Sequence, residues 1–198
     1  MEGFLDIRQD WFARKYLPLI GRRLWSFKIA LNLLNQMDGK NILEVGCIRE
    51  KEDWKAGMST LLFAEYASRF KAEFDSIDIS EKNIEVSKEV TKDFKKSVVY
   101  HLGDSLKVLK EWFKPIDLLF LDSKDCDPEN DEISRQAQEH QLKELELAYP
   151  NLTKNAIVLL DDNYFDNGGK TALAKDFLWA KKWVSLMDYE QSLWIRTG

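Results

Sequence analysis

The feature that most constrains this chain is a repeated change of hydrophobic period. Short apolar, β-branched runs alternate with segments whose apolar residues recur every three or four positions. Runs of the first kind fall at 41–46, 74–79, 98–102, 116–121 and 156–160 and read as strands. Between them, helices are predicted over 59–70, from the N-cap Ser80 to about 94, over 105–113, 134–149 and 170–182. Two last runs, 184–187 and 193–196, flank Asp188-Tyr-Glu-Gln and predict a hairpin. Ahead of the first strand, Ile20, Leu24, Phe27, Leu31 and Leu34 build one apolar helix face, with Arg22, Arg23 and Lys28 off it; Pro18 suits a helix start, and Asp38-Gly39 a stop. The alternation predicts an α/β fold, a mainly parallel sheet with helices on both faces and an antiparallel strand near one edge. At 198 residues it fits a single domain, with 1–38 as an N-terminal helical cap and 39–198 as the α/β core.

Charge and cysteine usage narrow the function classes. The formal charge of −5 argues against a nucleic-acid binder. That deficit is local, because Asp125 to Glu132 holds five acids and no base. Cys47 and Cys126 are the two cysteines and form no C-x-x-C pair, which points to a reducing, cytoplasmic setting without structural zinc. No apolar run approaches the ~18 residues of a membrane span, and the first ten residues lack the apolar stretch of a signal peptide. The N-terminal aromatics and bases, among them Trp11, Phe12, Arg14, Lys15, Tyr16, Arg22 and Arg23, read as a cap on the sheet or a face for a second subunit, a homodimer, in preference to an RNA-contacting patch.

In such sheets ligands bind beyond the carboxyl ends of the strands. Those ends are rich in acids: Glu44 with Gly46, then Asp78, Asp104, Asp122, and Asp161-Asp162-Asn163. An acid ending the second strand commonly accepts ribose hydroxyls, and a glycine after the first lets a ligand approach the backbone. A dinucleotide would need G-x-G-x-x-G, but Gly46 is followed by ten residues without glycine before Gly57-Met-Ser-Thr60. A Walker A loop is absent too. A nucleoside cofactor without phosphates, S-adenosylmethionine (SAM), fits better.

With Leu43-Glu-Val-Gly46, Gly57-Met-Ser-Thr60, Ser76-Ile-Asp-Ile-Ser80, Gly103-Asp-Ser105, Leu121-Asp122 and Leu159-Leu-Asp-Asp-Asn163 in this order, the chain resembles the class I SAM-dependent methyltransferases, a Rossmann-like superfamily with a seven-stranded sheet. Within them it looks most like small-molecule O-methyltransferases of the macrocin and catechol or caffeoyl-CoA types. The resemblance implies that Gly46, flanked by Glu44 and Cys47, contacts the methionine part of SAM together with Gly57, Ser59 and Thr60 at a helix N-terminus. It implies that Asp78 holds the ribose, that Asp104 and Ser105 lie by the adenine, and that Asp122 borders the cofactor. It further implies a divalent cation, Mg²⁺ or similar, on Asp122, Asp162 and Asn163, with Asp161 as a rival ligand. Neighbouring fourth and fifth strands, about 4.8 Å apart, would bring these acids together, and clustered carboxylates favour a shared cation.

The candidate catalytic residues are Asp122, Lys124 and His140. Lys124 stands two residues after Asp122, where the catechol type carries its lysine at three. Two insertions, 48–56 and 125–135, are expected beside the cofactor and acceptor; the second resembles an EF-hand loop but lacks its glycine and final glutamate. The expected activity is methyl transfer to a hydroxyl of a small molecule such as a sugar, phenol or natural product. An N-methyltransferase and an inactive methyltransferase-like binding module are the alternatives.

Overall fold

Ile42, Leu43 and Val45 are all buried although they point to alternate faces, so the strand they form must be covered on both sides. The computed structural model, which describes residues 10–56, 58–164 and 168–196, makes it the third strand of a seven-stranded sheet. The strands are β1 (Asn41–Val45), β2 (Glu73–Asp78), β3 (Val98–Leu102), β4 (Ile116–Leu121), β5 (Leu152–Leu160), β6 (Trp183–Asp188) and β7 (Ser192–Arg196), in the order β3-β2-β1-β4-β5-β7-β6. The first five pair in parallel; β7 is antiparallel to both β5 and β6. This is a doubly wound, Rossmann-like sheet with an antiparallel strand next to one edge. The chain builds outward from β1 through β2 to β3, then returns to the other side of β1 for β4. The crevice therefore opens at the carboxyl ends of β1 and β4.

The helices are α1 (Trp11–Ile20), α2 (Leu24–Gln36), α3 (Ser59–Phe70), α4 (Glu81–Val90), α5 (Ser105–Lys110), α6 (Asp131–Ala148) and α7 (Ala172–Ala180). One face of the sheet packs against α1, α2 and α3. Its centre is a group of rings in which Phe63 lies 5.6 Å from each of Phe27, Phe74 and Phe120. The other face packs against α5, α6 and α7 through Leu109, Leu145 and Leu178. The N-terminal helices thus spend their apolar face on their own sheet. No helix among the described residues is long and apolar enough to cross a membrane.

Three local expectations are corrected. The first helix is two helices, separated by a 3₁₀ turn at Gly21–Arg23 where Gly21 adopts φ +58. Pro18 lies inside α1 rather than at its start. Asp10 sets that start, because its side chain accepts from the Phe12 and Ala13 amides at 3.0 and 3.1 Å. β5 also begins at Leu152, before the apolar run that marked it, because Leu152 already pairs with Ile116 of β4 while the exposed Lys154 and Asn155 interrupt the apolar pattern.

The ring cluster predicts a stability difference. Phe63→Ala should lower the free energy of unfolding by about 3–5 kcal/mol in urea titrations. Phe113→Ala, at a side chain 84% exposed, should change it by less than ~0.5 kcal/mol.

Candidate functional site

Gly46 is the hinge of the site. It follows β1 at φ +91, and a Cβ there would lie 2.3 Å from the Asp122 carbonyl oxygen. The glycine is therefore required by the close approach of β4's exit, as well as by its backbone conformation. Gly46 N donates to Ile77 O at 2.9 Å and Asp122 N to Val45 O at 2.8 Å, which ties the ends of β2, β1 and β4 together. Two clefts of about 240 and 250 Å³ meet at this residue, which lines both.

The first cleft is the more apolar in character. Asp78 lies on its wall, 8% exposed, with its carboxylate already oriented. Oδ2 accepts from Cys47 N at 3.0 Å, and Oδ1 from Ser80 N at 2.7 Å and Asn83 Nδ2 at 3.2 Å. Beside it Ile79 is 74% exposed, an apolar surface open to a planar ring. Asp104 caps α5 by accepting from Leu106 N at 2.9 Å and also lines the cleft. Ser105, Ser123 and His140 converge on one oxygen of the fully buried Glu144, at 2.5, 2.6 and 3.0 Å. Lys124 lines the same cleft and reaches Gln136 Oε1 at 3.5 Å.

The second cleft holds the other acids, Asp122, Asp125, Asp161 and Asp162. Lys124 and His140 do not line it, so these two candidate catalytic residues stand on a different cleft from Asp122, the third. For His140 the reason is helical geometry, since α6 carries it one turn before Glu144, which takes its Nε2. Both insertions do reach this cleft. Arg49 of the first forms a two-pronged pair with Asp125 of the second, at 2.5 and 2.8 Å.

Three residues expected at the cofactor have structural duties. Glu44 is fully buried and accepts from Ser59 Oγ (2.6 Å), Thr60 Oγ1 (2.9 Å) and Ser76 Oγ (2.6 Å). It joins β1 to α3 and β2, and Thr60 Oγ1 also accepts from Ile48 N at 3.1 Å. Ser59 keeps a place on the wall of the second cleft while its hydroxyl serves Glu44. Cys47 is buried, and burial pushes its thiol pKa up. Gly57 lies outside the described residues. Met58, at φ +50, supplies no side-chain cap to α3, so the first amides of that helix receive no capping side chain.

Asp122, Asp161 and Asp162 do converge, as adjacency of β4 and β5 requires. Two cations stand among them. Lys170, 1% exposed, bridges Asp122 Oδ1 and, at 3.1 Å, Asp162 Oδ2. Arg23, from the turn between α1 and α2, lies 3.2 Å from Asp161 and 3.4 Å from Asp162. Burial first, and the Asp122 charge second, hold the Asp161 pKa well above the usual carboxylate range. Burial alone would lower the Lys170 pKa, but Asp122, Asp162 and Asp161 outweigh it and raise it. Asn163 is turned to other work. Its Oδ1 accepts from Thr171 (2.7 Å) and Lys175 (3.0 Å), and its Nδ2 donates to Asp188 (3.0 Å) and the Tyr189 carbonyl (2.7 Å). This donor set does not fit a divalent cation as the sequence led us to expect, because an ammonium already joins two of the three acids and the amide is committed. Among the described residues no group of three or more His, Cys, Asp and Glu is arranged to hold a metal.

Sequence reasoning missed Lys170, Ile79 and Glu144 as parts of the site, and read Arg23 only as a cap or patch residue. The usable signal for Lys170 was Gly168-Gly169 before it. Gly169 adopts φ +57, and a Cβ there would lie 1.8 Å from Asp162 O, so this turn must press against the end of β5.

Glu44 yields a pH prediction. Burial raises its pKa from the ordinary 4.5 to about 8, against three hydroxyl donors that pull it down. The folded state then holds a proton that the unfolded chain releases, so this part of stability is complete below pH 4.5 and is lost as the pH rises to 8. Urea midpoints should fall over this window in the wild type and fall less in Glu44→Gln, whose side chain is neutral throughout.

The family described as a methyltransferase domain matches residues 54–163, more than half of the chain. No curated protein matches the sequence. Among solved structures, the Podospora anserina methyltransferase PaMTH1, bound to S-adenosylhomocysteine (SAH), superposes with a TM-score of 0.63 at 20% identity, over 96% of this chain and 83% of that one. CalS11, a TDP-rhamnose 3'-O-methyltransferase of calicheamicin biosynthesis, gives 0.63 at 18% identity, over 94% and 85%. MycE of the mycinamycin pathway, in complex with Mg and SAH, gives 0.63 at 13% identity, over 94% of this chain but 53% of its own length. The chain belongs to the methyltransferase-domain family, on the Rossmann-like fold of the SAM-dependent methyltransferases.

Proposed function

We propose that this chain transfers the methyl group of SAM to a hydroxyl of a small, polar acceptor such as a sugar or another polyhydroxylated molecule. The observation that carries this reading is the meeting of two unlike clefts at Gly46. One has a pre-oriented carboxylate beside an exposed apolar side chain, and the other is lined mainly by acids, six of them against the bases Arg23, Arg49 and Lys55. The first suits a nucleoside without phosphates. Asp78 would accept the ribose hydroxyls, Ile79 would cover a face of the adenine, and Asp104 and Ser105 would border its edge. The uncapped amides of α3 suit the carboxylate of the methionine part.

When bound, SAM supplies a methyl on a sulfonium, activated for one displacement by an oxygen. The chain's own work is to hold the acceptor, exclude water and take one proton. Asp122 is our candidate base. Its Oδ1 is given to Lys170, while Oδ2 has no protein donor among the described residues and can receive the hydroxyl proton. Asp162 has both oxygens committed, to Arg23 and Lys170, and would orient rather than deprotonate. A hydroxyl is favoured over an amine, because these carboxylates would hold an amine in its protonated, unreactive form. The net negative charge and the acidic cleft favour a small acceptor over nucleic acid.

The test combines methyl transfer with binding. Radiolabelled SAM offered with a panel of sugars, phenols and amines should label a hydroxylated acceptor; label on nitrogen alone would overturn the assignment of oxygen. By calorimetry, Asp78→Ala should weaken SAH binding about ten- to a hundredfold. Asp122→Asn should leave SAH affinity within about twofold and slow turnover by about 10²–10⁴. Undiminished SAH affinity in Asp78→Ala would remove the cofactor assignment.

A further inference from the structure

We propose that Lys170 stands in for a divalent cation, so that the carboxylates at the second cleft are held by an internal ammonium and the chain binds no metal there. The proposal rests on the methyltransferase reading only in calling this the acceptor side. The charges alternate along one line, from Asp122 to Lys170, Asp162, Arg23 and Asp161. Each of the three aspartates thus has a cation partner from the protein, and Arg23 also lies 3.8 Å from Glu190, so four acids share two bases. A dication at the same edge would meet Lys170 between the two acids it needs. Expelling the ammonium would leave it without the pairing that burial demands.

The surrounding chain is built to keep Lys170 in place. Its amide donates to the Asp162 carbonyl at 3.1 Å, and Gln138 Nε2 donates to the Gly169 carbonyl at 2.7 Å. The next residue, Thr171, donates to Asn163 at 2.7 Å. Asn163, the remaining candidate ligand, is thereby drawn into fixing the lysine's turn instead of serving an ion. Lys170 is a positioning residue in this account. It orients Asp122 and Asp162 without touching the reacting atoms.

The test is a Mn²⁺ titration of the full chain followed by electron paramagnetic resonance, with SAH affinity measured by calorimetry on the same samples. Wild type should show no stoichiometric Mn²⁺ site, and EDTA should leave methyl transfer unchanged. Lys170→Ala removes the ammonium and leaves the acids under-compensated, so it should gain one Mn²⁺ per chain, bound at least about tenfold tighter than by wild type. Adding Asp122→Asn should abolish that gain. Should Lys170→Ala not fold, Lys170→Gln carries the same expectation. An Asp122-dependent Mn²⁺ site in wild type would overturn the proposal, as would a folded lysine variant without increased affinity. Failure of wild type to bind SAH would count against the methyltransferase reading and leave the Mn²⁺ result to judge Lys170.

Discussion

Strands β4 and β5 run side by side and in parallel, and both end in aspartates. That adjacency forces three carboxylates to the edge of one sheet, partly out of water, where they cannot remain uncompensated. The rest of the site is arranged around this electrostatic problem. The turn at Gly168-Gly169 folds back on Asp162 to deliver Lys170, and the N-terminal cap delivers Arg23 from the opposite end of the sequence. The cap is therefore more than a cover for the aromatic layer around Phe63. It completes the charge balance of the cleft and ties the N-terminal helices to the end of β5.

A division of labour follows along the carboxyl edge. Glu44 faces inward and is consumed by three hydroxyls, so it fastens β1, β2 and α3 together. Asp78 faces outward with its orientation fixed by the Cys47 and Ser80 amides. Asp122 stands between two uses, with one oxygen on Lys170 and its backbone locked to β1. Acids that look equivalent in the sequence thus differ by what reaches them. The Arg49–Asp125 pair adds a link between the two insertions across the second cleft, half-exposed and modest in energy.

Much of this was legible in the sequence because the relevant signals are periodic. The buried strands show as β-branched runs, and α3 starts and stops at the predicted 59–70. The convergence of Asp122 with Asp161 and Asp162 follows from strand order alone. What could not be read was compensation between distant segments. No pattern announces that Arg23 crosses to β5, or that Lys170 is buried instead of exposed like most lysines. His140 was suggested by residue type and Lys124 by its spacing from Asp122; α6 and the exit of β4 place both on the cleft that Asp78 lines. Gly46 was read as room for a cofactor, and the close contact with the Asp122 carbonyl shows a packing reason beside it.

The two clefts meeting at Gly46 separate the nucleoside of the proposed cofactor from the acceptor, and the start of α3, on the wall of the second cleft, receives the cofactor's carboxylate end. A crystal structure of the chain with SAH tests it most directly. The ribose hydroxyls should lie on Asp78, the adenine over Ile79 and the homocysteine carboxylate at the start of α3, with the sulfur toward Asp122. A nucleoside seated instead among Asp122, Asp161 and Asp162 would contradict it.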